Sequence, residues 1–323
     1  MDNLTLGIAI PTYNRHQKIK EFLDHSIDAL NKNGVQVFIS DNHSTDTTEA
    51  VVKSYQKKYK NLHYYRQEKN KGIYGNFEFV LHWADTDYVW FCGDDDLIDT
   101  AKIPLVLDHM KNHPDMIVVN GGDAENRVWR VRSTIPDTLY TDKNLILRDL
   151  GDHMTWISCL IFSKEMLSEL HMTDQSTAFP HAVAMFGYIA ENPIHLQYIS
   201  TPIVYTNNQD SPEGYTDKSL LYFCKQWSEM ADRWAPYYSK EAIDGFKYSG
   251  RDTMPGRAWG LKSFMIFREQ GYFDYGEYKK YRTTLSCLTS SNQHLIALIS
   301  LMPVSAIKAL HYIYHNLKKA FHK

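Results

Sequence analysis

Asp87–Thr100 reads DYVWFCGDDDLIDT: an almost fully apolar run stops at Gly93, and three consecutive carboxylates follow. The run Tyr88–Cys92 has the length and composition of a buried strand. Three adjacent negative charges at the mouth of such a strand repel one another, so the sequence calls for a cation to offset them. Asp99, just before TAKIPLVL, has a simpler reading as a helix cap. Asp94, Asp95 and Asp96 exceed what one cap needs. Oxygen-only ligation suits Mg²⁺ or Mn²⁺, and Mg²⁺ is commonly shared between one or two carboxylates and substrate phosphates. The triplet therefore predicts a divalent cation carrying a diphosphate.

Outward from this strand the chain alternates. LTLGIAIPTYN, VQVFISD, NLHYYRQ and MIVVNGG read as further strands. Between them lie helical stripes: Ile19, Phe22, Leu23, Ile27 and Leu30; the segment STDTTEAVVKSYQKKY; and Ile73, Phe77, Val80, Leu81 and Ala84. Alternating β and α units with apolar strands imply a mostly parallel central sheet flanked by helices, a Rossmann-like α/β fold. In such sheets ligands bind at the carboxyl ends of the strands. PTYNR, SDNHSTD and GDDD all fall there, so the topology brings them together.

At 323 residues the chain has ample material for a core, and a net charge of −3 gives no basic field for nucleic acid. Cys92, Cys159, Cys224 and Cys287 are scattered without metal or redox spacing, so reduced, buried thiols are expected. MDNLTLGIAIPTYNR has no basic n-region, and its apolar run is short for a signal peptide, which predicts a cytoplasmic protein. Neither a G-x-x-x-x-G-K-[ST] loop nor a G-x-G-x-x-G turn after a strand is present.

In order, IAIPTYNR, ISDNHSTDTT and NKGIYGNFEFVLHWADTDYVWFCGDDD resemble the motifs of a family-2 glycosyltransferase of the GT-A fold. The likeness is good over roughly residues 4 to 125 and looser to about 205. It implies a nucleotide-sugar donor, Mn²⁺ or Mg²⁺ as cofactor, and a glycan or lipid-linked glycan acceptor of the bacterial surface-polysaccharide kind. Carried over by position, Pro11, Thr12, Tyr13 and Arg15 line the nucleotide pocket, and Asp41 reads the base. Asp94 and Asp95 contact ribose and metal, Asp95 being the favoured metal ligand, with Asp96 on the donor-sugar side as a catalytic candidate. Asn76 and Gly72 shape the loop beside the donor. Two departures stand out: Gly93 fills the first slot of the usual D-x-D-D, and Asn42 and His43 stand where Asp and Gly are usual. Uridine diphosphate is the default nucleotide.

A single displacement inverts the sugar and needs a general base across from the diphosphate. The usual E-D pair is missing from MTDQSTAFPHAVAMFGYIA. His181, which begins a helix after Pro180, takes its place by order along the chain, with Asp174 as the second candidate. Trp156 is a candidate to stack on an acceptor sugar, and His153 a further metal ligand. DAENRVWRVRST reads as an exposed strand or hairpin, and NNQDSPEGYTD as a lid over the donor.

The expected organisation is a catalytic domain over 1–215, split at 123 into nucleotide-binding and acceptor-side halves, then a helical C-terminal region over 216–323. LIALISLMPVSAI is too short to span a bilayer. Ile307, Leu310, Tyr314, Leu317 and Phe321 then fall on one helical face, with Lys308, Lys318, Lys319 and three histidines opposite. That pattern suits a helix lying peripherally on the inner face of the cell membrane. Self-association is left open. Two other functions fit the carboxylates less well: a nucleotidyltransferase, which would want glycines after the first strand, and a non-catalytic sugar-nucleotide or glycan scaffold.

Overall fold

The computed structural model describes residues 4–123, 135–174, 177–206, 217–249 and 259–310. All but Asp123 of the hairpin expected over 123–134, all but Asp217 of the lid expected over 207–217, and the tail face beyond residue 310 lie outside the described residues. By its contacts the chain divides into two units, Met1–Asp210 with Pro236–Ala242, and Ser211–Ala235 with Ile243–Lys323.

The first unit opens with β1 (Leu6–Thr12), α1 (His16–Lys32), β2 (Gln36–Asp41), α2 (Thr48–Gln56), β3 (Leu62–Arg66), α3 (Gly72–Trp83) and β4 (Tyr88–Phe91). It continues through β5 (Asp96–Ile98), α4 (Ile103–Met110), β6 (Met116–Asp123), β7 (Thr138–Tyr140) and α5 (Lys143–Leu150). Then come β8 (Leu160–Ser163), α6 (Lys164–Glu169), α7 (Pro180–Glu191) and β9 (Leu196–Thr206). One sheet runs β3-β2-β1-β4-β8-β6-β9-β5, with β7 also on β9. Pairing is parallel from β3 to β4 and between β6 and β9. It is antiparallel where β8 enters between β4 and β6, and where β5 and β7 meet β9. The apolar runs specify strands but not the neighbour each one takes, so the inserted β8 was not readable from periodicity.

Period-2 alternation in β1 puts helices on both faces. Ile8 and Ile10 join the core cluster that α1 enters with Ile19, Phe22, Leu23 and Leu30. On the other face Phe38 meets Trp83 of α3 edge-on, ring centres 5.3 Å apart, and Phe77 meets Phe91 at 4.9 Å. Ile73, at the first turn of α3, is exposed instead of joining that stripe. All four cysteines are free and buried.

Past α8 (Trp227–Trp234) and α9 (Lys240–Ser249) follow α10 (Leu261–Glu269), α11 (Tyr275–Tyr281) and α12 (Gln293–Leu301). The second unit has its own core, with Trp259, Phe264, Phe267, Phe273, Leu285, Ile296 and Ile307 among its members. Ile307, expected on the membrane-facing stripe, is thus turned inward. Leu295, Leu298 and Leu301 line the opposite side of α12 at three-residue steps and are 46%, 57% and 59% exposed. After α12 the chain bends by 116° into the helix Val304–Leu310, and no single described helix is long and apolar enough to cross a membrane.

Candidate active site

Four strand exits meet because β3, β2, β1 and β4 are adjacent and parallel. Thr12 ends β1, Asp41 ends β2, Arg66 ends β3, and Asp94 follows β4 by three residues. Thr12 Oγ1 donates to Asp94 Oδ2 at 2.7 Å. One guanidinium nitrogen of Arg15, NH1, lies 2.9 Å from both Asp94 Oδ1 and Asp95 Oδ2. Two carboxylates therefore converge on one positive group, itself half-exposed. Burial pushes the Asp94 carboxyl above its usual range, against the opposing pull of Arg15 and Thr12. The Asp95 side chain stays 28% exposed, against 8% for Asp94.

Asp96 departs from expectation. It is buried, and its Oδ2 accepts from Trp156 Nε1 at 2.7 Å and from Ser158 Oγ. The chain turns at Asp94–Asp95, with the Asp96 N–H returning to the Gly93 carbonyl, so the triplet splits into a pair facing Arg15 and a third member holding the Trp156–Ser158 segment. Ser158 also accepts from the Gly93 backbone N–H at 2.8 Å. A Cβ on Gly93 would lie 3.1 Å from Asp96 Oδ2 and 3.4 Å from Ser158 Oγ, which gives the glycine in the first slot a packing reason. Trp156 is half-buried, and its ring covers Gly121 so closely that a Cβ there would stand 2.5 Å from it.

Other expected contacts are also turned inward. Asp41 is fully buried; Oδ1 accepts from the Ser44 backbone N–H at 2.8 Å and Oδ2 from the Tyr64 hydroxyl at 2.6 Å. Asn76 accepts from Ser40 Oγ and donates to the Ser40 carbonyl at 3.0 Å, so it pins α3 to β2. His153 donates from Nε2 to the Val119 carbonyl at 2.8 Å. Pro11 is buried in β1, whereas Tyr13 stands exposed at the rim. His43 adopts φ +67°, the left-handed region where a glycine is usual, and its Nδ1 lies 3.0 Å from the Gln67 carbonyl oxygen. Asn42 braces the same loop, donating to Asn70 and to the Gly72 carbonyl and accepting from the Lys71 N–H. Ser158, Ser44 and Tyr64 were missed from the sequence, because a lone hydroxyl in a strand or loop carries no spacing signal.

His181 lies in the first turn of α7 and is only 3% exposed. Its Nε2 donates to the Thr155 carbonyl at 3.0 Å, and Nδ1 has no hydrogen-bond partner among the described residues. Desolvation lowers its pKa to about 4, partly opposed by the Thr155 bond, so the ring is neutral at physiological pH. The ring meets Phe91 edge-on at 6.4 Å, beneath the strand that delivers the carboxylates. In this arrangement no acceptor hydroxyl reaches Nδ1. Asp174 lies in the segment between α6 and α7. That segment is held to α3 by the Tyr74 hydroxyl, which donates to the Thr177 carbonyl at 2.6 Å.

The donor set fits a hard divalent cation. It offers oxygen atoms only, from two carboxylates already drawn to one point, with one of them open to solvent. Asp94 and Asp95 form that set; Asp96 does not belong to it.

Comparison with known proteins bears on the fold and the family. The Glycosyl transferase family 2 model matches residues 7–170. The abequosyltransferase RfbV of Salmonella typhimurium is 25% identical over 245 residues, covering 68% of this chain and 72% of that protein. The S. aureus TarS 1-349 structure in complex with UDP-GlcNAc superposes with a TM-score of 0.60 at 17% identity, over 97% of this chain and 92% of that one. The Pyrobaculum calidifontis mannosyltransferase PcManGT, in complex with GDP-Man and Mn2+, gives 0.52 at 14% identity over 95% and 87%. With the family model spanning half the chain across every strand exit described above, the chain belongs to glycosyl transferase family 2 and is a glycosyltransferase of the GT-A fold.

Proposed function

We propose that this glycosyltransferase moves a sugar, with inversion, from a nucleotide-diphosphate sugar to a hydroxyl of a glycan or lipid-linked glycan in cell-surface polysaccharide synthesis. A UDP-sugar is the favoured donor. The observation that carries the reading is the convergence of Asp94 and Asp95 on one cationic group where β4 and β1 end together. Mn²⁺ or Mg²⁺ held by these two residues would stabilise the negative charge that builds on the leaving diphosphate. Arg15, half-exposed and shared between two carboxylates, is placed to turn its guanidinium to a phosphate oxygen when donor binds. Thr12 orients Asp94. Tyr13 at the rim is free to cover the nucleotide, while Asp41, Asn76 and His43 hold the loop that shapes its pocket. Asp96 acts as a positioning residue that fixes Trp156, whose indole forms a wall for the sugar or acceptor. For the proton, His181 Nδ1 is the proposed acceptor, with Asp174 second. The base role requires the Thr177–Pro180 segment to shift when acceptor binds.

A thermal-shift comparison tests the donor reading. UDP with Mn²⁺ is expected to raise the melting temperature more than the two separate shifts added together. Saturation at a hundred times Kd corresponds to about 2.7 kcal/mol of added stability. An equal shift with ATP and Mn²⁺ would count against a nucleotide-sugar site.

The membrane surface is the proposed second partner. Its support is the Leu295–Leu298–Leu301 stripe, unpartnered on α12, with exposed Leu310 on the helix that follows. Replacing the three α12 leucines by serine leaves the inward-facing Ile296 and Ile299 in place. The variant is expected to lose flotation with anionic phospholipid vesicles. Unchanged flotation would remove the membrane from the account.

A further inference from the structure

A second metal-binding constellation lies away from the carboxylate pair and shares no residue with it. Glu78 and His82 sit one helical turn apart on α3, and His171 reaches them from the segment after α6. One ligand atom from each lies within 4.8 Å of the other two. Glu78 Oε1 is 3.0 Å from His171 Nδ1 and 3.3 Å from His82 Nε2. Four-coordinate zinc with bonds of about 2.0–2.2 Å puts neighbouring ligand atoms about 3.3 Å apart. Both carboxylate–imidazole edges already have nearly that length.

The surroundings orient the ligands. The Met172 backbone N–H donates to Glu78 Oε2 at 2.9 Å, occupying one carboxylate oxygen and leaving Oε1 toward the imidazoles. The two rings stack, centres 5.2 Å apart and planes 26° from parallel. His171 Nδ1 and His82 Nε2 both lie near one carboxylate oxygen, so an ion among the three atoms would replace the ring protons that now face that oxygen. His82 Nε2 donates to the Leu170 carbonyl at 3.1 Å, a bond that ligation through Nε2 would replace, with water completing the shell. Two imidazole nitrogens and one carboxylate oxygen favour zinc-type ions over Mg²⁺ or Ca²⁺. All three side chains keep access to solvent, so an entry path exists.

We propose that Glu78, His82 and His171 bind a zinc-type divalent ion. Such an ion would clasp the segment after α6 to α3, next to the Tyr74–Thr177 bond that already ties the approach to α7. It would hold the acceptor-side segment in place from a point outside the carboxylate pair.

The test uses the full chain with any affinity tag removed, titrated with Co²⁺ alone and followed by visible absorption. Wild type is expected to bind one Co²⁺ with the intense bands of a four-coordinate site, and Zn²⁺ to displace it. His171→Ala and His82→Ala are each expected to abolish those bands and weaken Zn²⁺ binding at least about tenfold. Asp95→Asn should keep them, since an oxygen-only site gives weak six-coordinate absorption. Wild type without intense bands at millimolar Co²⁺, or histidine variants with undiminished ones, would overturn the assignment.

Discussion

Asp95→Ala is expected to lower kcat/KM by at least about a thousandfold, some 4 kcal/mol of transition-state stabilisation, while the protein stays folded. The two halves of that expectation come from different features of one residue. Asp95 is the more exposed member of the pair, and its contact with Arg15 is a partly solvated ion pair of the kind that contributes little to stability. Its removal leaves Asp94 still bonded to Thr12 and Arg15, so no buried charge is orphaned. The reaction, by contrast, loses one of the two oxygen donors at the point where diphosphate charge must be offset. Asp94→Ala would be a poorer probe, because a largely buried carboxylate that takes two hydrogen-bond donors is part of the structure as well. Release of nucleoside diphosphate from a donor sugar, measured beside a melting curve, separates the two effects. Retention of more than a tenth of wild-type turnover by a folded Asp95→Ala protein would remove the acidic pair from the chemistry.

The nucleotide-binding half was legible because each strand is a short apolar run closed by turn residues, and each helix carries its own stripe. Parallel neighbours follow from that alternation, and with them the meeting of Thr12, Asp41 and Asp94. What the sequence could not convey is direction. Asp94, Asp95 and Asp96 look equivalent in a string, yet the backbone aims the first two at Arg15 and the third at Trp156 and Ser158. Asp41 and Asn76 match ligand-facing positions by motif, but Tyr64 and Ser40, which enclose them, sit in strands whose hydroxyls follow no spacing rule. Burial and hydrogen bonding push the Tyr64 phenol far above its usual pKa, so it stays a donor to Asp41. Arg15 was expected to line the nucleotide pocket; its present partners are the two carboxylates. The Glu78–His82 pair is a helical i,i+4 spacing that could have been noticed, but His171 lies 89 positions beyond His82, a partner only the fold supplies.

His181 provides the second large effect, and it separates a base from a packing residue. Its pKa of about 4 in the folded protein lies below the ordinary 6.5. An unfolded chain takes up the proton below 6.5, while the native chain refuses it until about 4. Stability from this group is therefore present above pH 6.5 and is lost as pH falls toward 4, by about 3 kcal/mol in all. In His181→Gln that slope between pH 6.5 and 4 should flatten, as read from denaturant unfolding across the range. The catalytic expectation is independent of this. A neutral ring with Nε2–H fixed on the Thr155 carbonyl has its only lone pair at Nδ1, which is buried without a hydrogen-bond partner among the described residues. Buried polar atoms left without a partner call for a reason, and a proton waiting to be taken from an acceptor is one. On that account His181→Gln should cut kcat at least about a hundredfold. The wild-type rate should show no ionisation from this residue near pH 6.5, since the ring is already neutral there. If folded His181→Gln keeps kcat within about threefold while losing the acid-side slope, the ring is a core residue, and the proton must go to Asp174.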